Sequence, residues 1–248
     1  MAHQSDRVMH PLAARGDGAL ARELAATVRG VRVWFASLDA LASEDDRFVC
    51  LLSSAERARA DGLRASQGVR FRRARGLLRL LLAEVTGEAP EHLAIQYNAD
   101  GKPALAAHAA PQFSLSYARG VVLLAIGDER RVGVDVEWTN GEQRYTHIAA
   151  RFFSVAERAA VDREASERAR TMFARIWVRK EAYLKGRGEG ISQWIHRTDF
   201  SQQSPETEEP REAQGVARDQ DLWRVRDIAD APAGYVAALA VENSVARC

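Results

Sequence analysis

The alternation of apolar and polar positions along the chain predicts β-strands in three places. The stretch "VRVWFASL", Val31 to Leu38, alternates β-branched and aromatic residues as a half-buried strand does. After the turn "NADGKPAL" come "FSLSYA" and "VVLLAIG", and the turn "DERR" leads to "VGVDVEW". These three runs predict an antiparallel meander. Near the end of the chain, "LWRVRDI" and "GYVAALAVE" predict a hairpin.

Apolar positions at helical spacing predict two long helices. One face of "GVRFRRARGLLRLLLAEVTG" carries leucines and a valine, and Gly87 stands where a C-terminal cap belongs. The second long helix is amphipathic and extends from about Met172 to Gly186. The polar face of the first long helix is basic, with Arg70, Arg72, Arg73, Arg75 and Arg79.

Capping residues predict a short helix before each long one. Ser54 in "SSAERARADGLRA" would cap a helix that begins near Ala55. In "RFFSVAERAAV", Ser154 and Glu157 have the spacing of a capping box.

The order of these elements predicts an α+β protein built from two halves of similar layout. Residues 31–126 would form the first half and residues 127–248 the second, which includes a polar loop at about 201–220. Residues 1–30 would be an N-terminal extension that is partly disordered. Only the order of elements suggests this duplication, because no strong residue-level repeat is evident.

Composition and charge exclude several classes of protein. Lys+Arg number 35 and Asp+Glu 34, and a net charge of +1 argues against a nucleic-acid partner. Cys50 and Cys248 are too few for a disulfide framework or a zinc site. Without an apolar run of 18 residues or a signal pattern, we expect no membrane association and a cytoplasmic location.

The strand "VGVDVEW" carries two carboxylates on one face. Asp135 and Glu137 share that face with Gly133, while the valines share the other, and we expect Gly133 to leave open space beside the acids. Mg²⁺ typically takes one or two carboxylates together with phosphate oxygens. The alternative is an exposed edge strand with acidic residues that prevent aggregation.

The scarcity of lysine points to a phosphate-rich ligand. Among the 35 Lys+Arg residues only three are lysines, namely Lys102, Lys180 and Lys185, and each has glycine nearby. Lysine suits a single phosphate oxygen beside a metal ion, and glycine lets backbone approach a ligand. Trp177, Glu181 and Lys185 lie on one helical stripe. The alternative is a surface Glu–Lys pair with Trp177 in the core.

The ordered segments "GKP", "FSLSYARG", "GVDVEW", "RFFSVAE" and "WVRKEAYLKGRGEGI" resemble the 4′-phosphopantetheinyl transferases. The chain is similar to the surfactin-synthetase-activating (Sfp) type, and "WVRKEA" resembles its W/KEA subgroup. The resemblance implies a monomer with a pseudo-twofold arrangement of two α/β halves and coenzyme A in the cleft between them. It implies transfer of the phosphopantetheine arm to a serine of an apo carrier-protein domain, with release of adenosine 3′,5′-bisphosphate.

The resemblance also implies roles for individual residues. Asp135, Glu137 and Glu181 would bind Mg²⁺, or Mn²⁺ in its place, and Glu181 would also be the base that activates the serine. Lys185 would lie nearest the transferred phosphate, as the second catalytic residue. The coenzyme A contacts would include Lys180 and Lys185 at the pyrophosphate, Lys102 and Pro103 near the nucleotide, Arg70 at the 3′-phosphate, and Arg75, Ser116, Tyr117 and Asp135. Weaker candidates are Arg57, Arg59 and Glu157, the last either a helix cap or a residue near the metal.

One position departs from the family pattern. Tyr117 stands where the family usually has a histidine that contacts the 3′-phosphate, and tyrosine cannot carry a positive charge. Arginines of the helix could take over the contact, or Tyr117 could simply pack in the sheet. Two other functions stay open at this point: a catalytically silent coenzyme A or carrier-protein binding module, and a metal-dependent nuclease or phosphatase.

Overall fold

The computed structural model describes residues 20–24, 28–106, 111–139, 145–190, 193–201 and 223–243. Nearly all of the predicted polar loop, and the N-terminal extension before residue 20, lie outside the described residues. The described strands, in chain order from β1 to β9, are Arg22–Leu24, Val31–Ser37, Ile95–Tyr97, Pro103–Leu105, Gln112–Ala118, Val121–Gly127, Val132–Trp138, Trp223–Asp227 and Tyr235–Glu242. The described α-helices, from α1 to α6, are Asp45–Leu51, Ser54–Asp61, Ala65–Thr86, Tyr145–Phe152, Val155–Asp162 and Ser166–Arg187.

The strands form two larger antiparallel sheets and one small one. The first larger sheet has the order β1-β2-β6-β5 and the second the order β7-β9-β8, while β3 and β4 pair with each other. The mixture of helices and antiparallel sheets confirms the predicted α+β class. The hairpin of β8 and β9 is also as predicted.

The predicted three-strand meander is wrong at its third strand. β5 pairs with β6, but β7 pairs with β9, and Val132 lies opposite Val241. The physical reason is that β6 is already hydrogen-bonded on both edges, to β2 and to β5, so it has no free edge for β7.

The helices follow the predicted caps with small shifts. Gly87 ends α3 in the left-handed conformation, as predicted, and Gly188 ends α6 in the same way. Ser53, not Ser54, caps α2, because its side chain accepts the backbone N–H of Glu56. The predicted start of α6 at Met172 is too late, since the helix begins at Ser166.

The valine face of β7 lies in a core that both larger sheets share. Val132, Val134 and Val136 are buried in one cluster with Val33 and Leu123 of the first sheet. This burial confirms the predicted division of β7 into a valine face and a carboxylate face. It also fixes the carboxylates on the side where α6 packs.

Gly133 does not leave open space, contrary to the prediction. A Cβ atom at Gly133 would overlap the carbonyl oxygen of Ala182 and the backbone nitrogen of Gly186. The backbone of α6 therefore packs directly on β7 at this glycine, which brings the side chains of both elements to one place.

Two sets of elements recur at one spacing along the chain. β2 and β7, α2 and α5, and α3 and α6 each begin 101 residues apart. The strand order β2-β6-β5 also matches the order β7-β9-β8. A residue-level repeat accompanies this spacing, since "SSAERARAD" and "SVAERAAVD" lie at the same offset and share six of nine residues.

A buried ion pair stands at the same place in each set. Glu56 accepts from Arg79 at 2.8 Å, and Glu157 accepts from Lys180 at 2.9 Å. Each glutamate also closes a capping box, with Ser53 and Ser154 respectively. The favoured interpretation of Glu157 as a capping partner is therefore confirmed, and the pairs fasten each short helix to the long helix after it.

Candidate active site

Three polar side chains from three elements meet at the centre of the site. The carboxylate of Asp135 on β7 accepts from Lys185 Nζ on α6 at 2.6 Å, at its Oδ1 atom. The Ser116 hydroxyl on β5 donates to the same oxygen at 2.6 Å and accepts from Lys185 Nζ at 3.0 Å. Ser116 thus belongs to the Asp135–Lys185 network. Lys185 is the cation that neutralises Asp135 in this arrangement.

Two carboxylate oxygens beside this network have no hydrogen-bond partner among the described residues. They are Asp135 Oδ2 and Glu181 Oε1, and both are buried. Burial, and then the negative charge of Asp135, raise the pKa of Glu181 to about 7. Buried, unpaired carboxylate oxygens are costly unless a cation or a proton satisfies them. The donor set fits a hard divalent cation such as Mg²⁺.

The three predicted metal ligands do not form a complete three-residue centre. Among the residues that the structure describes, no group of three or more His, Cys, Asp or Glu side chains could hold a metal ion. Asp135 and Glu181 are brought together, while Glu137 lies further along the same face of β7 and is half-buried. Glu137 is still near enough for its negative charge to add, after burial and the charge of Asp135, to the rise in the pKa of Glu181.

A cavity of about 320 Å³ opens beside this centre. Glu181 and Lys185 line one side of it, and the turn from Asp100 to Pro103 faces them with the glycine-rich segment Gly188 to Gly190. The cavity continues past Ser114, Leu115 and Tyr117 toward Arg59 and Arg75. It therefore connects a carboxylate-and-lysine end with an arginine end.

Arg75 is the unusual residue of the arginine end. Its side chain is buried, and its Nε and Nη1 atoms have no hydrogen-bond partner in the described part of the chain. The guanidinium carbon lies 5.4 Å from the ring centre of Phe71 and 5.6 Å from that of Tyr97, and Arg59 lies over the same two rings. A buried guanidinium with free donors is suited to an anion with several oxygen atoms.

A second cavity of about 400 Å³ adjoins the first and shares Arg59, Arg75 and Tyr117 with it. Arg70 and Arg119 also line this second cavity. Arg70, which the family resemblance predicted to contact the 3′-phosphate, is exposed there, whereas Arg75 is buried and lines both cavities. Arg75 is thus the better-placed anion ligand.

Tyr117 is not packed in the sheet. Its side chain is 46% exposed and lines both cavities. The packing-only alternative for this departure from the family pattern is therefore wrong. Two positively charged side chains, Arg59 and Arg75, line the same two cavities as Tyr117.

Three predicted coenzyme A contacts have different partners. The Lys180 ammonium group is 1% exposed and bonds Glu157, Thr198 Oγ1 and the carbonyl oxygens of Ile195 and Thr198. The ammonium group thus lies inside the protein, where it forms the buried ion pair with Glu157 that corresponds to the pair of Arg79 with Glu56. Arg57 donates to the carbonyl oxygen of Leu52 in its own helix region. Lys102 lines the cavity, but its ammonium donates to backbone carbonyl groups.

Two residues of the site escaped the sequence analysis. Tyr97 forms part of the ring sandwich around the arginines, and Asn98 donates to the carbonyl oxygen of Gly188 at 2.7 Å. The "NADG" turn was visible in the sequence, but its partner lies 90 residues away. A contact of that separation leaves no local signal.

Comparison with known proteins identifies the family. The model of the 4'-phosphopantetheinyl transferase superfamily matches residues 131–240. The 4'-phosphopantetheinyl transferase HetI of Nostoc sp. is 32% identical over 166 residues, which cover 65% of this chain and 70% of HetI. The 4'-phosphopantetheinyl transferase AcpT of Salmonella typhi is 38% identical over 125 residues, 50% of this chain and 62% of AcpT.

A third relative, from Eremothecium gossypii, also carries a phosphopantetheinyl transferase name. The L-aminoadipate-semialdehyde dehydrogenase-phosphopantetheinyl transferase of Eremothecium gossypii is 34% identical over 164 residues, 62% of this chain and 58% of that protein. The chain belongs to the 4'-phosphopantetheinyl transferase superfamily, and the family predicted from its motifs is confirmed. Within the described ranges, no helix is long and apolar enough to cross a membrane.

Proposed function

We propose that the protein transfers the 4′-phosphopantetheine arm of coenzyme A to a serine of an apo carrier-protein domain. The observation that carries the proposal is the cavity with two chemically different ends. One end has Lys185 and Glu181, whose Oε1 atom is unpartnered, and the other has Arg75, whose Nε and Nη1 atoms have no partner among the described residues. A ligand with a pyrophosphate and a separate phosphate group, as in coenzyme A, complements both ends.

Asp135 and Glu181 would hold Mg²⁺, or Mn²⁺ in its place, with Glu137 following on the same face of β7. The bound ion supplies neutralisation of the pyrophosphate charge, which phosphoryl transfer needs more than covalent help. Lys185 supplies a further positive charge on the same side of the cavity and would neutralise charge on the departing group.

The reaction forms one bond to phosphorus and breaks another. The carrier serine oxygen attacks the phosphorus that bears the pantetheine arm, and the bond from that phosphorus to the bridging oxygen breaks. The leaving group is adenosine 3′,5′-bisphosphate. Glu181 would take the serine proton at its carboxylate.

Arg75, with Arg59 and Tyr117, would bind the 3′-phosphate of coenzyme A. Arg70 would contribute from the second cavity, and Pro103 would contact the nucleotide. Support comes from the unpaired donors of Arg75 and from its place between the two cavities.

We further propose that the protein is a cytoplasmic monomer of the Sfp type and the W/KEA subgroup, with a pseudo-twofold arrangement of two halves at 31–126 and 127–248. The common spacing of 101 residues between β2 and β7 and between α3 and α6 supports two related halves. The matching strand orders support them as well.

The test is an intact-mass measurement. The protein is mixed with coenzyme A, Mg²⁺ and each of several apo carrier domains, and the mass of the carrier is followed. We expect a gain of one phosphopantetheine group on at least one carrier and none on a carrier whose acceptor serine is replaced by alanine. Absence of the gain on every carrier, from protein that binds coenzyme A, would identify a silent binding module instead.

A further inference from the structure

We propose that Asn98 and Lys102 are positioning residues: they hold the C-terminal end of α6, and through it Lys185, in place against the cavity. The role of Lys185 in this inference rests on the proposed transferase function. The inference replaces the expected contact between the Lys102 ammonium group and the nucleotide.

The contacts that carry the inference join the turn at 98–102 to the last turn of α6. Lys102 Nζ donates to the carbonyl oxygen of Gly186 at 2.8 Å and to that of Val132 at 3.3 Å. Asn98 Nδ2 donates to the carbonyl oxygen of Gly188 at 2.7 Å. The last carbonyl groups of a helix have no partner within the helix, and a cation there is favourable for the helix dipole. The turn therefore caps α6 from a distant part of the chain.

Asn98 organises its own turn with the opposite end of its amide. Its Oδ1 accepts from the backbone N–H groups of Asp100 at 3.1 Å and Lys102 at 2.7 Å. Its backbone N–H donates to the carbonyl oxygen of Lys102 at 3.0 Å. One side chain thus shapes the turn and binds it to α6, and the two functions cannot be separated.

The end of α6 is built for this close approach. Gly188 has a φ of +79°, and a Cβ there would lie 3.2 Å from Asn98 Nδ2 and 3.4 Å from Lys102 Cδ. The N–H groups of Gly188 and Glu189 donate to the carbonyl oxygen of Leu184 at 2.9 and 3.1 Å. Lys185 therefore lies within a terminal turn that is closed by its own hydrogen bonds and held from outside by the 98–102 turn.

Holding this turn matters because the ammonium group of Lys185 must stay within reach of the reacting phosphate. Residues 100–103 and 188–190 lie next to each other in the lining of the same cavity, so a loosened contact between them would also change the shape of the cavity. A displacement of about 1 Å at a catalytic group can cost on the order of 100-fold in rate.

The experiment compares Lys102→Met and Asn98→Ala with Gln96→Ala, a control at an exposed position of the same small sheet. Hydrogen exchange is measured on the ligand-free protein at the amides of residues 186–190. We expect these amides to exchange about tenfold faster in both variants and at the wild-type rate in the control. We expect Lys102→Arg, which keeps donors for the carbonyl groups, to restore most of the protection.

Coenzyme A binding and turnover distinguish positioning from ligand contact. Positioning predicts that both variants lower kcat by about tenfold and change the Kd of coenzyme A by less than about threefold. Wild-type exchange rates at residues 186–190 in both variants would overturn the inference, as would a loss of coenzyme A binding in Lys102→Met alone. If the wild-type protein transferred nothing to any carrier, the proposed function would fail, while the exchange rates would still decide whether the turn holds α6.

Discussion

At the scale of single residues, the site is defined by polar atoms that the protein buries without satisfying. Asp135 Oδ2, Glu181 Oε1 and two nitrogen atoms of Arg75 have no partner in the described part of the chain. Each such atom costs free energy in the folded protein, and beside a cavity a ligand can supply the missing interaction. Glu181 and Arg75 line one cavity, and Asp135 is hydrogen-bonded to Lys185, which also lines it.

Asp135→Asn and Glu181→Gln keep the shape of the acidic end and remove its charge. We expect each to lower kcat/KM by about a thousandfold, because the negative charge that would hold Mg²⁺ is lost. The rate of mass gain on a carrier domain measures this loss. Near-normal rates in either variant, at Mg²⁺ concentrations that saturate the wild type, would contradict the assignment.

Arg75→Met tests the other end of the cavity. We expect coenzyme A to bind about 10- to 100-fold more weakly, while binding of 3′-dephospho-coenzyme A changes by less than about twofold. The apolar side chain would rest between Phe71 and Tyr97, so the unfolding temperature should stay the same or rise. Arg64→Met, at an exposed arginine, is the control. Equal losses for both ligands would place the 3′-phosphate elsewhere.

The lowered pKa of Lys102 makes the free energy of unfolding depend on pH. Burial, and then the charge of Arg131, lower its pKa from 10.5 to about 8. Between these two values the unfolded chain binds more protons than the folded protein, so the contribution of Lys102 to the free energy of unfolding rises with pH. The difference in this free energy between wild type and Lys102→Met should therefore grow from about pH 8 to about pH 10. A difference that is constant or falls over this range contradicts the expected shift.

At the scale of elements, the packing of α6 on β7 assembles the acidic end. Gly133 lets the two backbones touch, and this contact sets Asp135 beside Glu181 and Lys185. The buried pair of Glu157 and Lys180 fastens α5 to the same helix. The orientation of α6 therefore depends on backbone contact, on the pair of Glu157 and Lys180, and on further ion pairs of Arg179 with Asp227 and of Lys185 with Asp135.

Lys180→Met tests the second of these contacts. Loss of one partner of a buried pair leaves Glu157 uncompensated, and we expect it to lower the free energy of unfolding by about 3–5 kcal/mol. Denaturant unfolding measures this change, and the double variant Glu157→Gln with Lys180→Met should recover part of it. A stable Lys180→Met protein that no longer binds coenzyme A would instead support the original prediction of a pyrophosphate contact.

Local patterns in the sequence predict the elements better than their pairing. Strands β2 and β5 to β9, the long helices and the caps at Gly87 and Ser154 follow from periodicity and capping chemistry, whereas the short strands β1, β3 and β4 were not predicted. The pairing of β7 with β9 does not, because it depends on which edge of β6 is free. The contact of Lys180 on α6 with Glu157 on α5 could not be predicted either, because it forms only when the two helices pack together.

In the site as well, features encoded by local sequence were predicted and features that depend on long-range packing were not. The acids and Lys185 were predicted because their residue types and spacing suit a metal and phosphate, and the family resemblance gave them roles. Arg75 could not be ranked above Arg70, because burial and the ring sandwich with Tyr97 come from long-range packing. Asn98 lacked any local sign of its partner in α6.

At the scale of the whole molecule, a bound metal ion would link the second sheet to α6. Mg²⁺ at about 100 times its Kd should raise the free energy of unfolding by about 2.7 kcal/mol, since it binds only the folded protein. Thermal unfolding with and without a chelator measures this. Asp135→Asn should show no such gain, and sodium chloride of equal ionic strength serves as the control. An equal gain in wild type and variant would mean that the ion binds elsewhere.

The spacing of 101 residues allows each residue of β7 and α6 to be compared with the residue at the same position of β2 and α3. Trp34 and Leu80, both buried, occupy the positions that correspond to Asp135 and Glu181. Where the first set of elements carries these two large buried side chains, the second set carries two carboxylates with unpartnered oxygen atoms. The packing that apolar side chains provide in one set is therefore replaced in the other by groups that can bind a ligand.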